Sequence, residues 1–280
     1  MSSCCAEIFR RHFRPLAPIA TGETPVLQRI PGIRSVLFDL YGTLLISDSG
    51  EVGAARQPAA DPNAAPQRAL AEALHALGIP GDGLAAQGTQ YLFRAIEASH
   101  ARSREAAVEF PEVDIIEIWR TVLVELTREG LVKQAVADAI DLRRLATEYE
   151  ARTNPCWPMP NLRKCLAELR GDGLLLGIIS NAQFYTPDLF EALLDEPIQH
   201  WGFQPDLQYY SYQHGLAKPG LELFALAAEA LRRRRIGAHE VLYVGNDMLN
   251  DVFPAQKIGF HTALFAGDAR SLRRRGTDQR

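Results

Sequence analysis

No stretch of this chain approaches the ~20 consecutive apolar residues of a membrane-spanning helix, so no span is expected. Cysteine is scarce. The four, Cys4, Cys5, Cys156 and Cys165, form no C-x-x-C pair and no zinc spacing. That pattern suits a reducing, cytoplasmic setting rather than a disulfide framework. The N-terminal arginines precede no continuous apolar segment, so no signal peptide is expected. Charge of either sign is in little excess. A net charge of -4 gives no overall pull toward nucleic acid or an anionic membrane. The basic run at residues 232–235 ends a helical stretch, where cations suit the helix dipole. No internal repeat is visible, and no low-complexity tract beyond an Ala/Pro-rich segment at residues 54–66.

What is present is ordinary for a globular enzyme-sized chain: 280 residues, 47% hydrophobic and 23% charged. Residues 1–32 carry prolines at positions 15, 18, 25 and 31 and read as an irregular lead-in, with a short helix near residues 8–13. Residues 35–40 read as a first strand, and residues 46–53 as a hairpin or flap. Four helical stretches follow, at residues 67–77, 84–104, 111–127 and 132–149, with no convincing strand among them. Helix 162–169 then leads to strand 174–179, whose continuous apolar run suits burial on both faces. Helix 187–194, strand 207–212, helix 221–234, strand 241–244 and strand 261–265 complete the order. Such alternation predicts an α/β fold, a Rossmann-like parallel sheet with helices on both faces. The division expected is a lead-in at 1–32, an α/β core at 33–55 and 151–280, and an inserted all-helical block at 56–150.

Four short signals fall at strand ends or helix starts. They are D-L-Y-G-T at residues 39–43, S-N at 180–181, K-P at 218–219, and G-N-D-M-L-N-D at 245–251. Singly each is weak. A Ser-Asn after a strand is commonly a helix cap, and a Lys-Pro commonly opens a helix. Together they bring a carboxylate, a hydroxyl, a lysine and an acidic pair to one edge of one sheet, where α/β folds bind ligands. A carboxylate at the end of a buried strand is expensive unless its charge is used. Asp39 is therefore read as a nucleophile.

These motifs, in this order, resemble the haloacid dehalogenase (HAD) superfamily over about residues 33–50 and 155–265, with the helical block where that superfamily inserts a type-1 cap. The resemblance implies that Asp39 is the nucleophile. It implies that Thr43 and Ser180 contact the transferred group with Asn181 beside it, and that Lys218 stabilises the charge on Asp39. It also implies Mg²⁺ held by Asp39, the backbone carbonyl of Tyr41, and Asn246, Asp247 and Asp251. His100 and Arg102, near the end of the second helical stretch, are candidates to meet a small anionic substrate, although a solvated helix end is the plainer reading.

Two residues depart from the phosphatase branch. Tyr41 stands where that branch has a general acid, worth 10²–10⁴-fold in rate. A tyrosine there is a feature of the 2-haloacid dehalogenases. Asn246 stands where phosphatases place an acid, yet Asp247 and Asp251 are kept. The leading expectation is Mg²⁺-dependent hydrolysis of a small phosphorylated metabolite through an aspartyl-phosphate on Asp39, with Tyr41 as the candidate acid. The alternatives are a metal-independent 2-haloacid dehalogenase-like hydrolase and a weakly active or non-catalytic binding protein of the same fold.

Overall fold

The computed structural model of the chain describes residues 3–49, 64–81 and 83–275. Its strands are β1 (Ser35–Phe38), β2 (Leu45–Ser47), β3 (Cys156–Pro158), β4 (Leu175–Ser180), β5 (Phe203–Tyr210), β6 (Val241–Gly245) and β7 (His261–Leu264). Its helices are α1 (Cys4–His12), α2 (Ala64–Ala76), α3 (Ala85–Glu105), α4 (Ile115–Arg128), α5 (Gln134–Ala139), α6 (Leu142–Thr153), α7 (Leu162–Gly171), α8 (Asp188–Leu194), α9 (Ser211–His214), α10 (Glu222–Arg233) and α11 (Phe253–Ile258).

Five strands form one parallel sheet in the order β5-β4-β1-β6-β7. The first strand lies at its centre, so all four of its residues are buried. Strand period 2 divides them between two cores. Val36 and Phe38 join Leu176, Ile178 and Phe190 on one face, while Leu37 joins Ile179, Phe224 and Tyr243 on the other. Because every strand runs the same way, β1, β4 and β6 all end at one edge. That is where Asp39, Ser180 and the 245–251 segment sit.

Between β2 and β3 the described residues form five helices and no strand. The apolar stripe of α4 buries Ile118, Trp119, Val122, Leu123 and Leu126, with Asp114 capping its first turn. Residues 111–113, expected to be helical, lie outside any helix, and Pro111 bridges to Leu216. The stretch expected as one helix over 132–149 is two, α5 and α6. Asp141 accepts from the Arg144 amide, and this cap starts a new helix where a continuous one was expected. The stretch Leu45–Ser47 pairs with β3, more than a hundred residues on. Residues 50–53 of the expected flap and 54–63 of the Ala/Pro segment lie outside the described residues, and 64–66 open α2.

The lead-in is more ordered than its prolines suggest. Ser3 caps α1, which packs on α6 and α8 and buries Ile8 and Phe9 completely or nearly so. The fully buried Glu148 of α6 receives Arg152 at 2.5 Å and His12 at 3.2 Å, tying α1 to the helical block. Phe9 stacks on Phe13 at 5.0 Å and meets Tyr185 edge-on at 5.9 Å. Replacing it, Phe9→Ala, is expected to destabilise the protein by about 3–5 kcal/mol in denaturant unfolding. No shift in the unfolding midpoint would show that α1 is not part of the cooperative fold.

Candidate active site

The site is built around one oxygen. Asp39 follows β1 directly, its amide donating to the Val244 carbonyl of β6, so the backbone is fixed before the side chain is. Asp39 Oδ1 accepts from Ser180 Oγ at 2.9 Å and from Lys218 Nζ at 2.7 Å. Oδ2 has no hydrogen-bond partner among the described residues. One carboxylate oxygen is therefore pinned, and the other is not.

Lys218 is held at both ends. Asn181 clasps its backbone, accepting from the Lys218 amide at 2.8 Å and donating to its carbonyl at 3.2 Å. The ammonium lies between Asp39 and Asp251, 2.5 Å from Asp251 Oδ1, with all three side chains nearly inaccessible. Burial alone would lower the lysine pKa, but the two carboxylates outweigh it and hold the group above its ordinary value. Burial also pushes the Asp251 carboxyl up, against the pull of Lys218. Tyr243 closes the cluster, donating to the Ile179 carbonyl at 2.9 Å and accepting from Lys218 at 3.3 Å. Gly245 makes room for this arrangement. A Cβ there would lie 2.3 Å from the Asp251 carboxyl carbon.

Tyr41 does not join the cluster around Asp39. Its hydroxyl bonds Thr186 Oγ1 at 3.0 Å, and the residue is 7% exposed. Burial pushes its phenol well above the usual range, and Glu150 adds to the effect. The hydroxyl expected as a replacement acid is thus committed within the fold.

The fourth motif is spent largely on structure. Asn246 accepts from Thr43 Oγ1 at 3.0 Å and donates to the Ser271 carbonyl at 2.7 Å. Gly42, at φ +87°, lies against it; a Cβ there would be 2.5 Å from Ser271. Asp247 caps the turn that follows, accepting from the Leu249 amide at 2.8 Å. The Arg275 guanidinium grips the same carboxylate with two bonds, at 3.0 and 2.5 Å. Asp251 Oδ2 takes the Asp247 amide at 3.0 Å while Oδ1 faces Lys218. Mg²⁺ prefers carboxylate oxygens and water. Here only Asp39, among the implied carboxylates, keeps an oxygen with no protein partner. Among the described residues, no group of three His, Cys, Asp or Glu side chains is arranged to hold a metal. The side chains as placed do not fit an ion held through Asn246, Asp247 and Asp251.

His100 and Arg102 stand on the last turns of α3, which packs on α2 and α4. His100 is half-buried with an unbonded Nε2, and Arg102 is exposed. No hydrogen bond or ion pair connects either one to the residues around Asp39.

Several residues of the site carried no motif. Tyr243 could have been suspected as a polar group in a buried strand. Ser271 and Arg275 lie in a C-terminal segment that pairs with residues 246–248 through Arg273. The lead-in backs this segment, since Ala269 donates to the Ile19 carbonyl and Ile19 to Asp268 Oδ1. Gln183 binds the Val113 carbonyl at 2.9 Å and the Ile115 amide at 3.0 Å, joining the loop after β4 to the start of α4.

The family model for haloacid dehalogenase-like hydrolases matches residues 33–259. The chain is similar to a glyceraldehyde 3-phosphate phosphatase of Methanocaldococcus jannaschii, at 35% identity over 107 residues, 38% of this chain and 42% of that protein. It is also similar to haloacid dehalogenase-like hydrolase domain-containing protein 3 of Xenopus laevis, at 24% identity over 149 residues, 52% of this chain and 56% of that one. The matches thus span about half the length of these curated relatives. Among solved structures, a 2-haloacid dehalogenase from Pseudomonas syringae pv. Tomato DC3000 superposes with a TM-score of 0.53 at 18% identity, covering 83% of this chain and 86% of that one. That likeness concerns the fold. No helix among the described residues is long and apolar enough to cross a membrane. With a match over residues 33–259 and an acid clamped at the shared edge of a parallel sheet, the chain belongs to the haloacid dehalogenase-like hydrolases.

Proposed function

We propose that this hydrolase transfers the phosphoryl group of a small anionic phosphorylated compound to Asp39 and then releases it to water. The observation that carries the reading is the clamp on Asp39. Ser180 and Lys218 both hold Oδ1, which aims the carboxylate and leaves Oδ2 as the attacking atom. Lys218 puts a fixed positive charge where negative charge accumulates during transfer, in a site that excludes most water. Asn181 keeps that lysine in place through its backbone. The phosphatase activity named for the archaeal relative supports the same direction.

The helical block serves in this reading as a cap, at 56–150, over a core at 33–55 and 151–280. Its support is a contact next to the chemistry. The Ala217 amide donates to the Phe110 carbonyl, and Glu112 to the Gly215 carbonyl, one to three residues before Lys218. The four free thiols suit a reducing compartment such as the cytoplasm. No step of this scheme passes through Mg²⁺.

A second reading, displacement of halide from a 2-haloacid, is favoured by one observation: the Tyr41 hydroxyl and the Asp247 carboxylate are both committed elsewhere. Halide leaves without a proton and the displacement needs no cation. The test is phosphate release from a panel of phosphate esters and anhydrides, with halide release from 2-chloropropionate measured beside it, each in Mg²⁺ and in EDTA. Phosphate release without halide release is the expected result. Halide release without phosphate release would replace the first reading by the second. The EDTA arm reads the cation separately, since activity lost in EDTA would show that a divalent cation takes part.

A further inference from the structure

We infer that the substrates of this site are phosphorylated compounds whose leaving group departs as a stable anion, namely acyl phosphates and aryl phosphates. The inference rests on the phosphoryl-transfer reading and deepens it. Its ground is that, among the described residues, the proton-bearing side chains around Asp39 are each committed to a partner inside the protein.

Lys218 donates to Asp39, Asp251 and Tyr243, which uses its three protons. It is also the positive charge that the attacking carboxylate sits beside. Losing a proton from it would leave Asp39 and Asp251 without a counter-charge. Asp251 accepts on both oxygens, from Lys218 and from the Asp247 amide. Tyr243 has one proton and two acceptors in reach, the Ile179 carbonyl at 2.9 Å and Asp251 Oδ1 at 3.1 Å. Glu112, which lies on the cap side, accepts from the Val113 amide and from Ser211 Oγ, at 2.8 and 2.7 Å.

Tyr41 is the residue whose place in the chain would make it the donor, and its surroundings hold it away. Its hydroxyl pairs with Thr186 Oγ1, which in turn accepts from the Gln183 amide. Delivering a proton to the leaving oxygen of a substrate attacked by Asp39 would require the phenol to break the Thr186 bond and leave a packed interior. An unmade hydrogen bond on a buried polar group costs about 1–3 kcal/mol before any gain in catalysis.

The chemistry then balances without an acid. Asp39 Oδ2 attacks phosphorus and forms an O–P bond. The bond from phosphorus to the leaving oxygen breaks, and that oxygen keeps the electron pair. A carboxylate or phenolate can carry this charge, since the parent acids have pKa values near ~4 and ~10. An alkoxide holds its proton far more tightly. Water then attacks phosphorus, the Asp39–phosphorus bond breaks, and the carboxylate is regenerated. Water's protons remain on the released phosphate.

The test measures kcat/KM by phosphate release for acetyl phosphate, a series of substituted phenyl phosphates and an alkyl phosphate, using the full chain. The expected result is a steep fall across the series as the leaving group becomes more basic. The alkyl ester should be at least about 10²-fold slower than the best aryl ester, the gap that a general acid would have closed. Tyr41→Phe, checked for an unchanged unfolding transition, should change all substrates alike and leave the slope as it was. A flat series overturns the inference, and so does a Tyr41→Phe loss confined to the alkyl ester. No phosphate release from any substrate would instead overturn the phosphoryl-transfer reading, and the inference with it. Asp39→Asn, inactive on every member, confirms that the slope reports this site.

Discussion

Asparagine in place of Asp39 is expected to abolish phosphate release, by roughly 10⁴-fold or more, while the protein folds normally. The size follows from losing the nucleophile, whose removal from a covalent mechanism costs rates of that order or beyond. The substitution changes one oxygen to an amide nitrogen and leaves the volume almost unchanged. Its effect on stability has a definite direction. The buried cluster holds two carboxylates and one ammonium, all with side chains less than a tenth exposed. Removing one negative charge leaves Lys218 paired with Asp251 and relieves the repulsion between the acids. Stability should therefore hold or rise. The measurements are phosphate release and a denaturant unfolding curve on the same preparation. Turnover within about tenfold of the parent, in protein that unfolds normally, would remove Asp39 from the role of nucleophile.

The convergence on Asp39 was legible because it depends on strand ends. A short apolar run that stops at an acid, a hydroxyl or a glycine marks an edge of the sheet, and parallel strands bring such edges together. Asp39, Ser180, Lys218 and Asp251 meet for that reason. What each side chain bonds to was not legible, because it is decided by residues distant in the chain. Asn181 lies beside Ser180 in sequence and reads as a contact to substrate. Folded, it holds the Lys218 backbone. Asp247 reads as a metal ligand until Arg275, twenty-eight residues on, reaches back to it. Thr43 and Asn246 are more than two hundred positions apart and bond each other. Tyr41 is the clearest case. Its neighbours in sequence suggest a catalytic turn, and its partner Thr186 lies 145 residues away.

The same holds for the elements. The parallel core and the long helices α3 and α4 repeat their pattern over enough residues to be read. β3 has three residues, Cys156, Trp157 and Pro158, and exists because β2 pairs with it. The buried half of α1 is a response to α6 and α8. β3 has no period long enough to stand out, and α1 shows in the sequence only as a short helix near residues 8–13, displaced from its Cys4–His12 span.

Methionine in place of Lys218 is expected to do what Asp39→Asn does not, removing activity and stability together. Methionine keeps an unbranched apolar stem, one atom shorter than lysine, and deletes its charge and donors. Asp39 and Asp251 are then left facing one another in the interior with no cation between them. Breaking a buried ion pair from one side costs about 3–5 kcal/mol, because the remaining charge stays desolvated. At roughly 2–4 °C per kcal/mol for a chain of this class, Tm should fall by about 6–20 °C. The loss should depend on pH with a known sign. Burial already raises the Asp251 carboxyl above its value in the unfolded chain, and losing Lys218 raises it further. A carboxyl raised on folding contributes stability that is present below its unfolded pKa and is lost as pH rises through its folded pKa. The variant should therefore lie closest to the parent near pH 4 and furthest from it at neutral pH. The double variant Lys218→Met/Asp251→Asn removes one of the two stranded charges. It should recover much of the Tm at neutral pH and none of the phosphate release. A single variant as stable as the parent at neutral pH would mean that the two carboxylates do not share this lysine. A double variant that regained turnover would mean that the ammonium serves only to hold the fold, and that charge stabilisation during transfer comes from elsewhere.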